Sequence, residues 1–407
     1  MDAANTAWML ISTALVLLMT PALAFFYGGL VRSKNALNTM MMSFISLGFV
    51  GVAWAVIGYS LAFAPGSAFV GGASRVFLRG VGLEPMSSIP HLLYMCYQAT
   101  FCIITAALIS GAIVERMRFA AYVVFITIWS IVVYAPVAHW VWGGGWLASM
   151  GALDFAGGTV VHVNAGVAAL VAAIVVGPRR DYPSSSLLPH SVPLTMLGAG
   201  VLWFGWFGFN AGSAVAANGI AALAFTSTML APAGTLVVWT LLDLVRTGKP
   251  TAVGCATAIV VGLVAITPAA GYVGPMSAIA LGGIAALPSY FALIARAKTS
   301  LDDSLDVVSA HGLGGMVGAL LTGVFAQKAL NGVADGLLFG NPKQVAIQAA
   351  AVAASIAYSG VLTYALLKVI GAVLPLRVDA DDENTGMDLI QHGEEAYVHG
   401  DSATAGA

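Results

Sequence analysis

Charge is what this chain conspicuously lacks. Only 8% of its 407 residues are Asp, Glu, Lys or Arg, against 59% hydrophobic, and mean hydropathy is +0.91. A water-soluble globule of that make-up would lack the polar surface to cover itself, which leaves an all-α polytopic membrane protein. Cysteine is scarcer still, at three residues. Cys96, Cys102 and Cys255 all fall in apolar runs, so they read as packing residues and not as a disulfide frame or metal site. No basic residue precedes Arg32, so the first apolar run lacks the positive start of a secretory leader and is expected to remain as a spanning helix. His-Glu-x-x-His, Gly-x-Ser-x-Gly and a Walker-type glycine loop are missing too, which argues against a membrane enzyme. No metal, cofactor or nucleic-acid partner is expected.

What the chain has in quantity is long apolar runs. Crossing about 30 Å of hydrocarbon takes around 20 residues. Eleven runs meet that length: 7–31, 39–64, 90–114, 119–142, 157–177, 193–213, 220–244, 252–271, 276–295, 307–325 and 346–373. Lys and Arg orient them. Ten basic residues follow spans one, three, five, seven and nine (Arg32, Lys34, Arg116, Arg118, Arg179, Arg180, Arg246, Lys249, Arg296, Lys298), whereas the opposite loops hold Arg75, Arg79, Lys328 and Lys343. The positive-inside rule then puts the N-terminus outside and the C-terminus inside, and the expected location is the cell's inner (plasma) membrane. From Asp379 onward the tail carries eight acidic residues and no Lys or Arg. Such a tail is repelled by anionic lipid and reads as a solvated segment or a docking surface, with Arg116, Arg179, Arg180, Arg246 and Arg296 as its expected partners.

Eleven spans divide into five, five and one. Five is odd, so two such halves would lie inverted, a common transporter plan with the site at their interface. The expected division is 1–177, 178–328, an eleventh span with its preceding loop at 329–376, and the tail at 377–407. Internal echoes agree: AFFYGG at 24–29 against FGFNAG at 207–212, and Asp154 with His162 in span five against Asp306 with His311 in span ten.

The polar residues that remain inside the apolar runs are few enough to weigh singly. Asp154 and His162 are eight residues apart, roughly 12 Å along a helix, so they are not expected to bond to each other. Asp154 either caps the following helix or takes part in chemistry. His162 falls near mid-membrane and His311 roughly 8 Å from the inner end of span ten, so the two imidazoles can face one another. An ionisable group there is a functional candidate by default. Gly157, Gly158, Gly312, Gly314 and Gly315 would let their helices approach closely. Trp142, Phe209 and Ser213 gather at outer span ends, with Tyr97, Gln98 and Phe101 nearby. Each aromatic alone reads as an interface belt residue; together they suit a cation-receiving vestibule.

DFAGGTVVHVNAG at 154–166, preceded by HWVWGGG, with GWFGFNAGSA at 205–214 and DVVSAHGLGGMVG at 306–318, resembles the ammonium transporter family, the Amt branch of the Amt/Rh superfamily. AFFYGGLVRSKN at 24–35, YQATF, and GAIVERMRF at 111–119 extend the similarity over almost the whole chain. The resemblance implies twin pore histidines at His162 and His311, a stacked gate at Phe101 and Phe209, and an outer recruitment site at Trp142 and Ser213 with Phe101. It also implies an essential acid at Asp154. Tyr97 stands where the family often has Phe. A homotrimer in the bilayer is implied as well, and so is a cytoplasmic PII-type signalling partner, since MDLIQHGEEAY at 387–397 is similar to the family's tail.

Cost then shapes the mechanism. A bare ammonium ion in a dry apolar pore costs at least several kcal/mol, so losing a proton near the Phe pair and crossing as ammonia is cheaper. The proton either stays behind or is relayed through the imidazoles, and Asp154 acts directly, through water, or only by its field and capping. Two other readings are an ammonium sensor with little flux and a neutral gas channel; about 30 residues after Arg377 leave little room for an appended signalling domain.

Overall fold

Hydrocarbon offers no hydrogen-bond partners, so an apolar run that enters it must satisfy its backbone internally, as a helix does. The computed structural model describes residues 1–182 and 188–397, so 398–407 of the expected tail lie outside the described residues. Among the described residues ten helices are long and apolar enough to cross a membrane. These are α1 (Ala3–Leu30), α2 (Ser33–Phe63), α3 (His91–Ala112), α4 (Phe119–Met150), α5 (Gly158–Val176), α6 (Val192–Ala214), α7 (Gly219–Thr247), α9 (Pro275–Arg296), α10 (Val308–Phe325) and α11 (Lys343–Val373). At the expected eighth crossing stands a shorter apolar helix, α8 (Ala252–Ile266), followed by turns through residue 273.

Polar side chains close several helix starts, accepting from N–H groups the helix cannot pair itself: Asp2 from Asn5, Asn218 from Ala221 and Thr251 from Gly254, at 2.7, 3.0 and 3.0 Å. Large apolar residues on the outer faces, among them Ile11, Phe49, Phe204, Val237 and Val361, are exposed, as a lipid-facing wall requires. Among the described residues four stretches widen into π-helix: 54–58, 130–134, 158–163 and 308–313. The last two carry His162 and His311. Such bulges cost helix regularity and collect at functional positions.

The basic end of the bundle is tied by a buried ion network. Arg179 clamps Asp302 through Nε and Nη2, each at 2.9 Å, and reaches Glu115 at 2.7 Å, while Arg32 meets Glu115 at 3.1 Å. Burial alone would raise the Glu115 carboxyl; the two guanidiniums outweigh it and hold the group below its usual range. Arg116 is fully buried and donates to the carbonyls of Ala112, Val114, Gly177 and Asp302 and to Ser304 Oγ. Both arginines are therefore used within the bundle.

The tail corrects the expected pairing. It folds into two short helices, α12 (Ala380–Thr385) and α13 (Met387–His392), and docks mainly on the start of α2. The Asp388 carboxylate accepts from the N–H groups of Leu37 and Asn38 at 3.0 and 2.7 Å. Glu383 pairs with Arg377 at 2.7 Å and accepts from the Arg180 backbone, and Lys34 donates to the Glu383 and Asn384 carbonyls. Arg246 instead lies over Tyr290 and Phe291, and Arg296 pairs with Asp306. The reason is prior commitment: buried guanidiniums are matched by buried carboxylates, and a helix N-terminus already offers the unpaired donors a carboxylate needs.

Candidate functional site

The site is built around the two π-turns. Asp154 precedes α5 and is 5% exposed. Its Oδ1 accepts from Gly157 and Gly158 at 2.8 and 2.6 Å, and its Oδ2 from Thr159 and Val160 at 2.8 and 3.1 Å. Four backbone donors on one carboxylate make it the cap of this turn. The chain can turn so sharply because Gly157 sits at φ 116°, a left-handed conformation that a side chain resists. Across the bundle Asp303, also fully buried, accepts from Val307 and Val308 at 3.1 and 2.7 Å and caps the turn that carries His311. Burial, and then its neighbour Asp306, pushes the Asp303 carboxyl up. The expected echo of Asp154 at Asp306 is thus corrected to Asp303. The signal was in the spacing: 154 to 162 and 303 to 311 are both eight residues, whereas Asp306 is left free to face Arg296.

The turns bring the histidines together. Their Nδ1 atoms are 3.2 Å apart, with rings stacked at 24° and centroids 5.3 Å apart. One shared proton satisfies both Nδ1 atoms in a neutral pair. One ring then keeps a bare Nε2 acceptor and the other an Nε2–H donor. His162 Nε2 is buried without a hydrogen-bond partner. Trp206 stacks on His162 at 5.4 Å and 18°, a contact that apolar periodicity alone did not single out. The approach rests on bare backbone: a Cβ on Gly166 would come within 2.2 Å of the Gly312 Cα, so α5 and α10 cross glycine on glycine.

A chain of ring contacts leads away from this pair. Phe209 lies 6.1 Å from His162 and stacks on Phe101 at 4.2 Å and 26°. Phe101 meets Trp142 edge-on at 5.8 Å and Tyr97 at 4.9 Å. The Tyr97 hydroxyl lies 2.9 Å from the Phe209 carbonyl and 3.3 Å from Ser213 Oγ, and Trp142 Nε1 donates to the Asp154 carbonyl at 2.9 Å. The structure therefore gathers Tyr97, Phe101, Trp142, Phe209 and Ser213 into one group at the end of the bundle opposite the basic loops. Gln98 is buried next in sequence, its Oε1 without a partner.

Against Phe209 and the two imidazoles lies a cavity of about 10 Å³ walled by Leu23, Leu108, Val161, Leu202 and Trp206. A water needs about 10–15 Å³ and two to four polar partners, so this lining does not favour a resident water. His311 also lines a second cavity, of about 310 Å³, that opens at the basic end beside Arg179, Tyr182, Arg296, Ser304 and Asp306. No group of three or more His, Cys, Asp or Glu residues able to hold a metal occurs among the described residues.

Among the described residues, ten helices long and apolar enough to cross a membrane, with exposed apolar walls outside, define a multi-pass membrane protein. The model of the Ammonium Transporter Family matches residues 7–397, and the chain belongs to that family. An ammonium transporter of Aquifex aeolicus is 50% identical over 402 residues, covering 98% of this chain and 94% of its own, and one of Bacillus subtilis is 46% identical over 98% and 99%. The crystal structure of Saccharomyces cerevisiae Mep2 superposes with a TM-score of 0.88 at 37% identity, over 94% of this chain and 89% of that one.

Proposed function

We propose that the chain moves ammonium by stripping it of a proton: it captures NH4+ at an outer aromatic site, gives up a proton at the Phe gate, either to water on the outer side or to a relay through the imidazoles, and conducts NH3 past the twin histidines. The observation that carries this reading is the sequence of contacts from Trp142 to Phe101, Phe209, His162 and His311, with a cavity of about 10 Å³ and almost wholly apolar walls beside Phe209 and the imidazoles. Ring faces of Trp142 and Phe101 and the Ser213 and Tyr97 oxygens can hold a partly dehydrated cation, worth about 0.5–2 kcal/mol per favourable ring. Carrying that charge onward costs at least several kcal/mol, whereas ammonia is neutral. The donor and acceptor Nε2 positions of the histidine pair can each hydrogen-bond ammonia, replacing the water it leaves. Asp154 fixes the turn that presents His162, and its negative charge favours a cation at the adjacent outer site.

The same reading takes the helices as eleven crossings, with the shorter α8 completing the set, N-terminus outside, C-terminus inside, in the plasma membrane. Residues 1–177 and 178–328 form inverted halves, 329–376 the last crossing with its loop and 377–407 the tail. In support, α5 and α10 each open on a π-turn capped by a buried Asp eight residues before the histidine, Asp154 before His162 and Asp303 before His311. We take the assembly to be a homotrimer whose tail meets a PII-type protein.

The test is ammonium uptake by proteoliposomes holding folded His162→Ala. Selective uptake is expected to be lost or to become permissive to potassium; unchanged uptake with unchanged ammonium-over-potassium selectivity overturns the role given to the pair.

A further inference from the structure

The cavity at the basic end has one carboxylate on its wall. Asp306 binds Arg296 Nε through Oδ1 at 2.8 Å, and its Oδ2 accepts no hydrogen bond among the described residues. Its neighbour Asp303 is different: both oxygens are spent on the backbone of the His311 turn, and it does not line the cavity. Arg179, the other charged residue on the wall, is already matched by Glu115 and Asp302. Asp306 also sits at φ 61°, a left-handed conformation in which glycine would be unstrained. That backbone turns the carboxylate toward Arg296 and the cavity, about one helical turn from His311 in sequence, and His311 is shared between this cavity and the small apolar one beside Phe209.

We propose that Asp306 is the inner ammonium site, taking the ion that re-forms as ammonia leaves His311 and gains a proton from the water that fills the cavity. The free Oδ2 accepts from the ion while Arg296 fixes the carboxylate by Oδ1. The guanidinium charge so close by also weakens the hold on any cation. The result is a site that binds briefly and releases, where the outer aromatic site captures. A carboxylate suits this end because the cavity is open to water, so a charged ion need not be stripped to sit there. The inference rests on His311 being the inner end of the pore.

The experiment measures initial ammonium uptake in right-side-out and inside-out membrane vesicles, so that ammonium chloride meets one face at a time. Losing a hydrogen bond to an ion, Asp306→Asn should raise the KM at the cytoplasmic face by about tenfold and leave the KM at the outer face unchanged. Arg296→Gln should act oppositely, lowering the cytoplasmic KM and slowing maximal influx. Equal KM shifts at both faces in Asp306→Asn, or an unaltered cytoplasmic KM in both variants, overturns the proposal. The outer-face KM and its response to changes at Trp142 report separately on the capture site, so its failure is distinguishable.

Discussion

At the scale of single residues, Trp142 is where the proposed capture role can be told apart from belt packing. Trp142 gives its indole N–H to the Asp154 carbonyl and meets Phe101 edge to face, so its side chain is held by contacts within the bundle. Trp142→Leu keeps an apolar side chain there and removes the π face. A cation–π contribution of up to about 2 kcal/mol corresponds to a rise of up to about 30-fold in the KM for ammonium at the outer face. Flux at limiting ammonium equal to that of the parent would return Trp142 to the interface belt. Tyr97 is subtler: its hydroxyl lies near the Ser213 hydroxyl, so the phenol can complete the oxygen set where a Phe could not.

At the scale of elements, the crossing of α5 and α10 places the histidines. Its contact is asymmetric. A Cβ on Gly166 would strike Gly312 at 2.2 Å, whereas a Cβ on Gly312 would meet Gly166 at an ordinary 3.4 Å. Gly166→Ala must therefore push the helices apart, at an overpacking cost of about 1–3 kcal/mol, and separate the Nδ1 pair. Gly312→Ala should be close to neutral. Thermal unfolding and uptake of both variants check this, and equal behaviour would mean the crossing relaxes freely. The helices themselves were legible in the sequence because apolar length is a local property, and the histidines because ionisable residues are so few among them. Asp303 was hidden by Asp306 three residues on, and Gly166 by the abundance of glycine. The Glu115–Arg179–Asp302 network was illegible for a different reason. Its members come from three loops, and only the folded bundle brings them together.

At the scale of the whole molecule, the tail acts as a strap across the basic end. Asp388 closes the N-terminus of α2, Gln391 accepts from the Phe119 N–H at the start of α4 at 3.0 Å, and Glu383 accepts from Arg180 in the connection toward α6. Met387 and Asp388 are almost fully buried while Asp379, Leu389 and Tyr397 stay exposed, so one side of the tail is docked and the other presented. Each contact is modest: a cap of this kind is worth about 0.5–2 kcal/mol and an exposed ion pair about 0–1 kcal/mol. A partner bound to the presented face can thus compete with docking. The spans hold one another through their own packing and through Arg116 and Arg179, neither of which depends on the tail. Removing everything after Val378 should leave the bundle assembled, with its elution volume and detergent stability close to those of the full chain, but reduce uptake or abolish binding of a PII-type protein. Asp388→Ala, which deletes one cap and leaves the acidic face intact, should loosen the tail to protease with less loss of partner binding. Normal flux together with normal PII binding in the truncated chain would make the tail a solvated end with no part in control.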